Sequence, residues 1–123
     1  MAKAYLERLS ALVSAAVPHR PRGIRLHCKH FFSGAALYAN GKICASLTPV
    51  GMAVKLPESS RTHLVRTRRA RPLRYFPAGP IKKEYVALSR AVLDNPLQVR
   101  RWLTGNIAYV TGHSLSVKKL PRR

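Results

Sequence analysis

Residues 32–56 read FSGAALYANGKICASLTPVGMAVKL and carry the clearest structural signal in the chain. Short apolar runs alternate here with turn-forming residues. Asn40 and Gly41 both tolerate the positive φ of a type I′ turn, which joins two antiparallel strands in a hairpin. The predicted strands are the three apolar runs Ala35–Ala39, Lys42–Leu47 and Met52–Leu56. Parallel strands need a longer crossover than these turns allow, so we predict an antiparallel meander.

A strand and a helix are predicted on the N-terminal side of this meander. In the segment Ile24–His30, apolar residues alternate with charged or polar ones, as on a half-buried strand. Residues 2–17 carry apolar side chains at spacings of three and four, which is typical of an amphipathic helix. The apolar positions of this helix are Leu6, Leu9, Val13, Ala16 and Val17. Pro18 ends it, because a proline disfavours helical backbone in the residue before it.

On the C-terminal side, a short helix is predicted over Ser59–Thr67, where Glu58 near the start and Arg66 near the end suit the helix dipole. A basic connector, Arg68–Pro72, follows it. Two further strands are then predicted, joined by a turn at Pro77–Pro80. These strands are Leu73–Phe76 and Ile81–Leu88.

The last helix has a well-marked start. Asn95 suits the N-cap, Pro96 the first helical position, and Gln98 can reach back from the third. We expect a single domain over residues 1–112, followed by a short, basic, flexible tail over residues 113–123. Its predicted class is α+β, in the order α-β(3-4)-α-β(2)-α, with an antiparallel sheet of about five to six strands.

Composition limits the chemistry. The 123 residues include 23 Lys and Arg but 4 Asp and Glu, a formal net charge of +19, and 46 % are hydrophobic, as in a folded domain. Such a charge attracts polyanions. The scarce, scattered carboxylates argue against paired-carboxylate catalysis and carboxylate-rich metal sites. Because no signal peptide or membrane-spanning run is evident, we expect a cytoplasmic protein without a membrane partner.

The densest run of cations is the candidate nucleic-acid site. It consists of Arg61, Arg66, Arg68, Arg69, Arg71 and Arg74. No acid lies between Glu58 and Glu84, and Tyr75 and Phe76 are near enough in sequence to stack on bases. The alternative interpretation is a solvated connector and an exposed strand face.

The possible ligands of a metal site are Cys28, His30 and Cys44, with His27 or His63 as a fourth ligand. The spacings typical of zinc sites are missing, and buried cysteines usually pack as small apolar residues. We therefore expect reduced cysteines, no metal and no cofactor. The chain also lacks a nucleophile elbow, a P-loop and a dinucleotide fingerprint, so we expect no enzymatic activity.

Several blocks resemble the N-terminal domain of TfoX/Sxy-type competence regulators. Residues 32–41 match that family's phenylalanine-glycine-glycine, leucine-tyrosine and aspartate-glycine signature, with Ser33 and Ala36 at usual glycines and Asn40 at the aspartate. The other blocks, in family order, are Val54–Glu58, Arg71–Phe76, Glu84–Leu88, Leu93–Pro96 and Trp102. The resemblance implies an α+β domain and a non-enzymatic regulator of the transcription of DNA-uptake genes, acting beside a DNA-bound activator.

Two functions are therefore open at this stage. The first is a regulatory or accessory protein with non-specific affinity for nucleic acid through its arginines. The second is a protein-interaction module, whose sheet or edge binds an acidic partner or a second copy of the chain. The sequence leaves the oligomeric state open.

Overall fold

The computed structural model describes residues 2–18, 22–74 and 78–112. Its elements are α1 (Ala2–Ala16), β1 (Leu26–Phe31), β2 (Gly34–Ala39), β3 (Lys42–Thr48), β4 (Gly51–Lys55), α2 (Glu58–Arg66), β5 (Ala70–Pro72), β6 (Tyr85–Leu88), α3 (Arg90–Leu93) and α4 (Pro96–Thr111). The strands form one sheet in the order β1-β2-β3-β4-β6-β5. Every neighbouring pair is antiparallel, which confirms the predicted α+β class.

The predicted hairpin turn between β2 and β3 is confirmed. Asn40 has φ 52° and Gly41 has φ 82°, as a type I′ turn requires. The Asn40 side chain has a second role, because its Oδ1 accepts from the backbone N–H of Arg25 at 2.8 Å and its Nδ2 donates to the carbonyl of Gly23 at 3.1 Å. The same residue therefore shapes the turn and fixes the approach to β1.

All four helices contribute to one core on the first face of the sheet. Leu9 and Val13 of α1 pack there beside Leu103 and Ile107 of α4, and Leu64 of α2 joins the same cluster. All of these side chains are buried, and for Leu9 and Val13 the three- and four-residue spacings of residues 2–17 predicted it. The bounds of α1, α2 and the first four strands agree with the predicted ones to within two residues.

Asn106 fastens α4 to the sheet. A bulge in β3 breaks the register opposite Leu37 and Tyr38, so that Cys44 has no partner residue in β2. The Asn106 Nδ2 donates to the carbonyl of Cys44 and to that of Lys55, both at 2.7 Å. Its Oδ1 finds no partner among the described residues. A buried polar side chain thus joins α4, β3 and β4.

The second face of the sheet, opposite the helices, is largely lined with small residues. One row crosses all six strands in register: Lys29, Ala36, Ser46, Ala53, Ala87 and Arg71. Small side chains let a further segment approach closely, and Leu73 packs on Ala53 and Ala87 as a second, smaller apolar cluster. Lys82 donates its backbone N–H to the Leu73 carbonyl at 2.9 Å, which holds the chain on this face.

The prediction for the fifth and sixth strands is partly wrong. Ala70–Pro72, predicted as a connector, is the edge strand β5, whereas Leu73 and Arg74 lie beyond the strand. Ala70 pairs with Leu88 and is buried in the core, and for this reason β5 lies three residues before the predicted start at Leu73. Strand β6 begins at Tyr85, four residues after the predicted start, because the preceding residues form a turn.

The start of α4 is confirmed, with one correction. The Asn95 Oδ1 accepts from the N–H groups of Leu97 and Gln98, and Pro96 occupies the first turn. The Gln98 side chain does not reach back, because its Oε1 accepts from the Trp102 indole N–H at 3.1 Å. A one-turn helix before α4, α3, was not predicted; the Ser89 hydroxyl caps it. The predicted tail 113–123 lies outside the described residues.

Candidate nucleic-acid interface

The six predicted arginines follow the edge of the sheet formed by α2 and β5. Arg61 and Arg66 belong to α2, and Arg71 lies in β5. Arg68 and Arg69 form the turn between these elements, and Arg74 follows β5. The run therefore starts on the helix side of the sheet and ends on its second face. Tyr75 and Phe76, the predicted stacking residues, lie outside the described residues.

Arg61 has a structural role. Its Nε donates to the carbonyl of Leu56 at 3.0 Å, and its Nη1 donates to the carbonyl of Lys83. The side chain is half-buried between α2 and the segment that leads into β6. Because two of its donors are bound to these carbonyls and its side chain is half-buried, Arg61 holds α2 to the sheet and is a poorer candidate for a ligand contact than the exposed arginines.

Arg71 and Arg74 also donate to backbone carbonyls, on the second face. The Arg71 Nη2 lies 2.9 Å from the carbonyl oxygen of Val50, and the Arg74 Nη1 lies 2.8 Å from that of Gly79. Both residues are exposed. A guanidinium has five N–H donors, so each keeps donors that can bind an anion.

Arg66, Arg68 and Arg69 form the other group, which we call the arginine turn. No hydrogen bond or ion pair of their side chains is seen within the described residues. Arg66 and Arg68 are exposed and Arg69 is half-buried. The arginine turn thus holds three guanidiniums whose charges are not neutralised by a described carboxylate.

The local backbone explains how the arginine turn is held. The N–H of Arg69 donates to the Leu64 carbonyl at 2.8 Å and that of Arg68 to the Val65 carbonyl at 3.1 Å. This pair of bonds is the Schellman motif that ends many helices. Arg68 has φ 61°, in the left-handed region where glycine is usual. An arginine therefore occupies a position where glycine would cost less strain.

Few acidic side chains lie near these arginines in the described part of the chain. The described residues contain one ion pair between side chains, in which Lys55 Nζ lies 3.2 Å from Glu84 Oε1. Glu58 stands at the start of α2, at the end of the helix away from the arginine turn. Within the described residues, the exposed arginines of the run therefore have no carboxylate paired with them.

The proposed metal ligands are not gathered at one place. Cys44 is buried beside the β3 bulge and its Sγ donates to the Leu37 carbonyl at 3.4 Å, whereas His30 is exposed on β1. Burial, and then the nearby Cys28, raises the pKa of the Cys44 thiol to about 12. Within the described ranges, no three His, Cys, Asp or Glu side chains lie close enough together to hold a metal ion.

Comparison with known families identifies the fold. The model of the TfoX N-terminal domain matches residues 24–109, more than two-thirds of the chain. The chain belongs to the TfoX N-terminal domain family. The match confirms the resemblance carried by Phe32–Gly41 and the later blocks. No curated protein and no solved structure matches the chain.

Membership of the TfoX N-terminal domain family suggests an accessory role like that of the competence regulators. The family is not known as a family of enzymes. In the part of the domain that the structure describes, no helix is both long and apolar enough to cross a bilayer.

Proposed function

We propose that this TfoX N-terminal domain is a non-enzymatic accessory regulator of transcription that contacts nucleic-acid phosphates through the arginine turn. It would act in the cytoplasm beside a DNA-bound activator and add sequence-independent affinity to the assembly. Guanidinium groups suit this task, because each can bind a phosphate through two parallel hydrogen bonds.

The observation that carries the proposal is the state of Arg66, Arg68 and Arg69. They follow one another along the end of α2, and their side chains have no described protein partner. The Schellman motif fixes the backbone beneath them, so less conformational entropy is lost on binding than from a free chain end. Contacts to phosphate position a protein on nucleic acid without reading its sequence.

The test compares the wild-type domain with the triple variant Arg66→Ala, Arg68→Gly and Arg69→Ala. Glycine is chosen at position 68 because it relieves the positive φ. Binding to a fluorescent duplex of mixed sequence is followed by anisotropy over a range of salt concentrations. We expect weaker binding and a salt slope flatter by up to about three units, since each phosphate contact contributes about 0.9.

The matched control removes three exposed cations from α1 and α4: Lys3→Ala, Arg8→Ala and Arg100→Ala. It lowers the net charge equally but leaves the arginine turn intact, so we expect a smaller loss of affinity. Equal losses in the two triple variants would mean that net charge alone drives binding. Absence of duplex binding by the wild-type domain at moderate salt would also refute the proposal.

A second candidate is a protein-interaction module, which the position of β1 favours. This six-residue strand is an outer strand of the sheet, where an extended segment of another chain could add by main-chain hydrogen bonds. Lys29 and the two histidines of β1 would suit an acidic partner. Such binding would survive the arginine-turn substitutions, which distinguishes it from the first candidate.

A further inference from the structure

The second face of the sheet contains a groove that is separate from the arginine turn. Its volume is about 780 Å³. The lining is mostly apolar and includes Phe31, Phe32, Ile43, Val50 and Tyr85, together with the ammonium-bearing Lys82. Volumes of roughly 300–1,000 Å³ are typical of sites for small molecules and cofactors. A ligand with one planar ring system and a charged substituent therefore fits the groove in size and in chemistry.

Phe32, which lines this groove, has an unfavourable backbone conformation. It lies in the two-residue turn between β1 and β2 with φ 50°, a conformation that bulky side chains rarely adopt. Its side chain is 87 % exposed, and its ring meets that of Phe31 edge-on, with the centroids 4.5 Å apart. Neither the backbone nor the core requires a phenylalanine here. A strained, exposed residue of this kind is a reason to look for a ligand.

The groups around the groove favour an anion. Lys82 lines it, and the Arg71 guanidinium is held on the Val50 carbonyl at 2.9 Å. Lys29 lies on the same face, with its ammonium 5.2 Å from the ring centre of Tyr38. The nearest acid along the chain, Glu84, is paired with Lys55. The other three acids belong to α1, α2 and the α3–α4 connection.

We propose that this groove binds an unpaired base of a single-stranded nucleic acid, with Phe32 as the stacking surface. Lys82 and the remaining donors of Arg71 would bind the adjacent phosphates. An aromatic ring beside a positively charged groove is how proteins bind single strands without reading sequence, because every base offers a π face. A duplex keeps its bases stacked inside, so Phe32 would contribute nothing to duplex binding.

This inference rests on the proposed function and names the form of nucleic acid that the second face accepts. A peptide with an apolar side chain is the competing occupant. The high positive charge and the scarcity of acids favour the nucleic acid, since each phosphate contact releases counterions.

The test measures binding of a fluorescent oligothymidine and of a duplex of equal length to the wild-type domain and to Phe32→Gly. Glycine removes the ring and also relieves the positive φ, so the variant is expected to fold. We expect the single-strand affinity to fall about fivefold or more, as for the loss of one stacked base. The single-strand salt slope should stay unchanged because no charge is removed, and duplex affinity should stay within about twofold.

Three further variants sharpen the result. Phe32→Trp keeps an aromatic ring and should retain the affinity, whereas Lys82→Ala should flatten the single-strand salt slope by about 0.7. Tyr109→Ala removes a partly exposed aromatic ring from α4 and is the matched control. We expect it to bind oligothymidine like the wild-type domain.

The outcomes separate the two proposals. If Phe32→Gly binds oligothymidine as tightly as the wild-type domain, or loses duplex affinity equally, the base-stacking proposal is overturned. The proposed function then still stands, provided that duplex binding depends on the arginine turn. If the wild-type domain binds neither probe, both proposals fail. A peptide or another ligand would then be the better candidate for the groove.

Discussion

Among the described residues, three that are not glycine adopt a positive φ: Phe32, Asn40 and Arg68. Asn40 is explained by its turn and by its hydrogen bonds to the segment before β1. At Phe32 and Arg68 the turn depends on the backbone conformation and not on the side chain, and both side chains are exposed. The two residues that carry our proposals are thus positions where folding alone would favour glycine or asparagine.

Cys44 allows a prediction about stability and pH. Burial and Cys28 raise the pKa of its thiol from an ordinary 9.0 to about 12. Between these values the folded domain keeps a proton that the unfolded chain has released. Stability should therefore fall as the pH rises above about 9, by roughly 1 kcal/mol per pH unit from this group, and the contribution should be constant at lower pH.

Urea unfolding of the wild-type domain and of Cys44→Ala, measured from about pH 8 to about pH 10.5, checks this. The two proteins share every other ionisable group, so the difference between the two curves isolates the thiol. The variant should start less stable, because a buried sulfur is lost, but should lose stability more slowly as the pH rises. Parallel curves would show that the Cys44 thiol ionises as easily in the folded domain as in the unfolded chain.

Asn106 marks a limit of what the sequence could predict about single residues. It lies between Leu103 and Ile107 on the apolar side of α4, where its spacing indicates only a helix position. Its two hydrogen bonds depend on a bulge in β3 and on the end of β4, which are more than 50 residues away. No local pattern contains that information.

At the scale of elements, the sequence predicted best where local chemistry alone determines the structure. The Asn40–Gly41 turn and the Asn95 cap were predicted for that reason. Strand β5 was misplaced, because the apolar Leu73 and its neighbours look more like a strand than Ala70–Pro72 does. Its position depends on pairing with β6, a tertiary effect. The four-residue helix α3 is too short to show a periodicity.

Two glycines that differ in local geometry give a prediction for the β1–β3 region. A Cβ at Gly34 would collide with the backbone of Leu47 in β3, whereas one at Gly41 meets nothing but is strained by φ 82°. Leu47 cannot retreat without breaking the β2–β3 ladder. We expect Gly34→Ala to cost about 3 kcal/mol and Gly41→Ala about 1 kcal/mol of unfolding free energy.

Chemical denaturation of the two single variants measures these costs directly. Both variants add one methyl group, so each is the other's control for composition. A loss from Gly34→Ala no larger than that from Gly41→Ala would show that β2 and β3 are not as closely packed at this point as described.

At the scale of the whole molecule, the six arginines that are close together in sequence have different structural roles in the folded chain. Arg61 holds α2 to the sheet, and Arg71 and Arg74 secure loops on the second face. The arginine turn is the part of the predicted site whose guanidiniums make no hydrogen bond within the described residues. The sequence shows the six arginines as one run, but the backbone carbonyls that accept hydrogen bonds from three of them could be identified only in the folded chain.

The groove on the second face was not predicted, because its lining residues are distant in sequence and meet only in the folded chain. Its lining comes from the end of β1 and the β1–β2 turn, from β3 and the β3–β4 turn, and from the start of β6 and the segment before it. These pieces lie up to about fifty residues apart in the chain and meet because the sheet brings their ends together. Phe32 was noted only as part of the family signature, and Lys82 was not singled out. The exposure of both residues and the positive φ of Phe32 are visible only in three dimensions.

The central claim is that the arginine turn is a nucleic-acid contact surface, and amide chemical-shift mapping tests it directly. ¹⁵N-labelled domain is titrated with a duplex of mixed sequence at moderate salt. We predict that the largest shifts cluster at Arg66, Arg68 and Arg69, with the exposed sides of α1 and α4 little changed. Shifts concentrated on α1 and α4, shifts spread evenly over all exposed cations, or no shifts at all would contradict the claim.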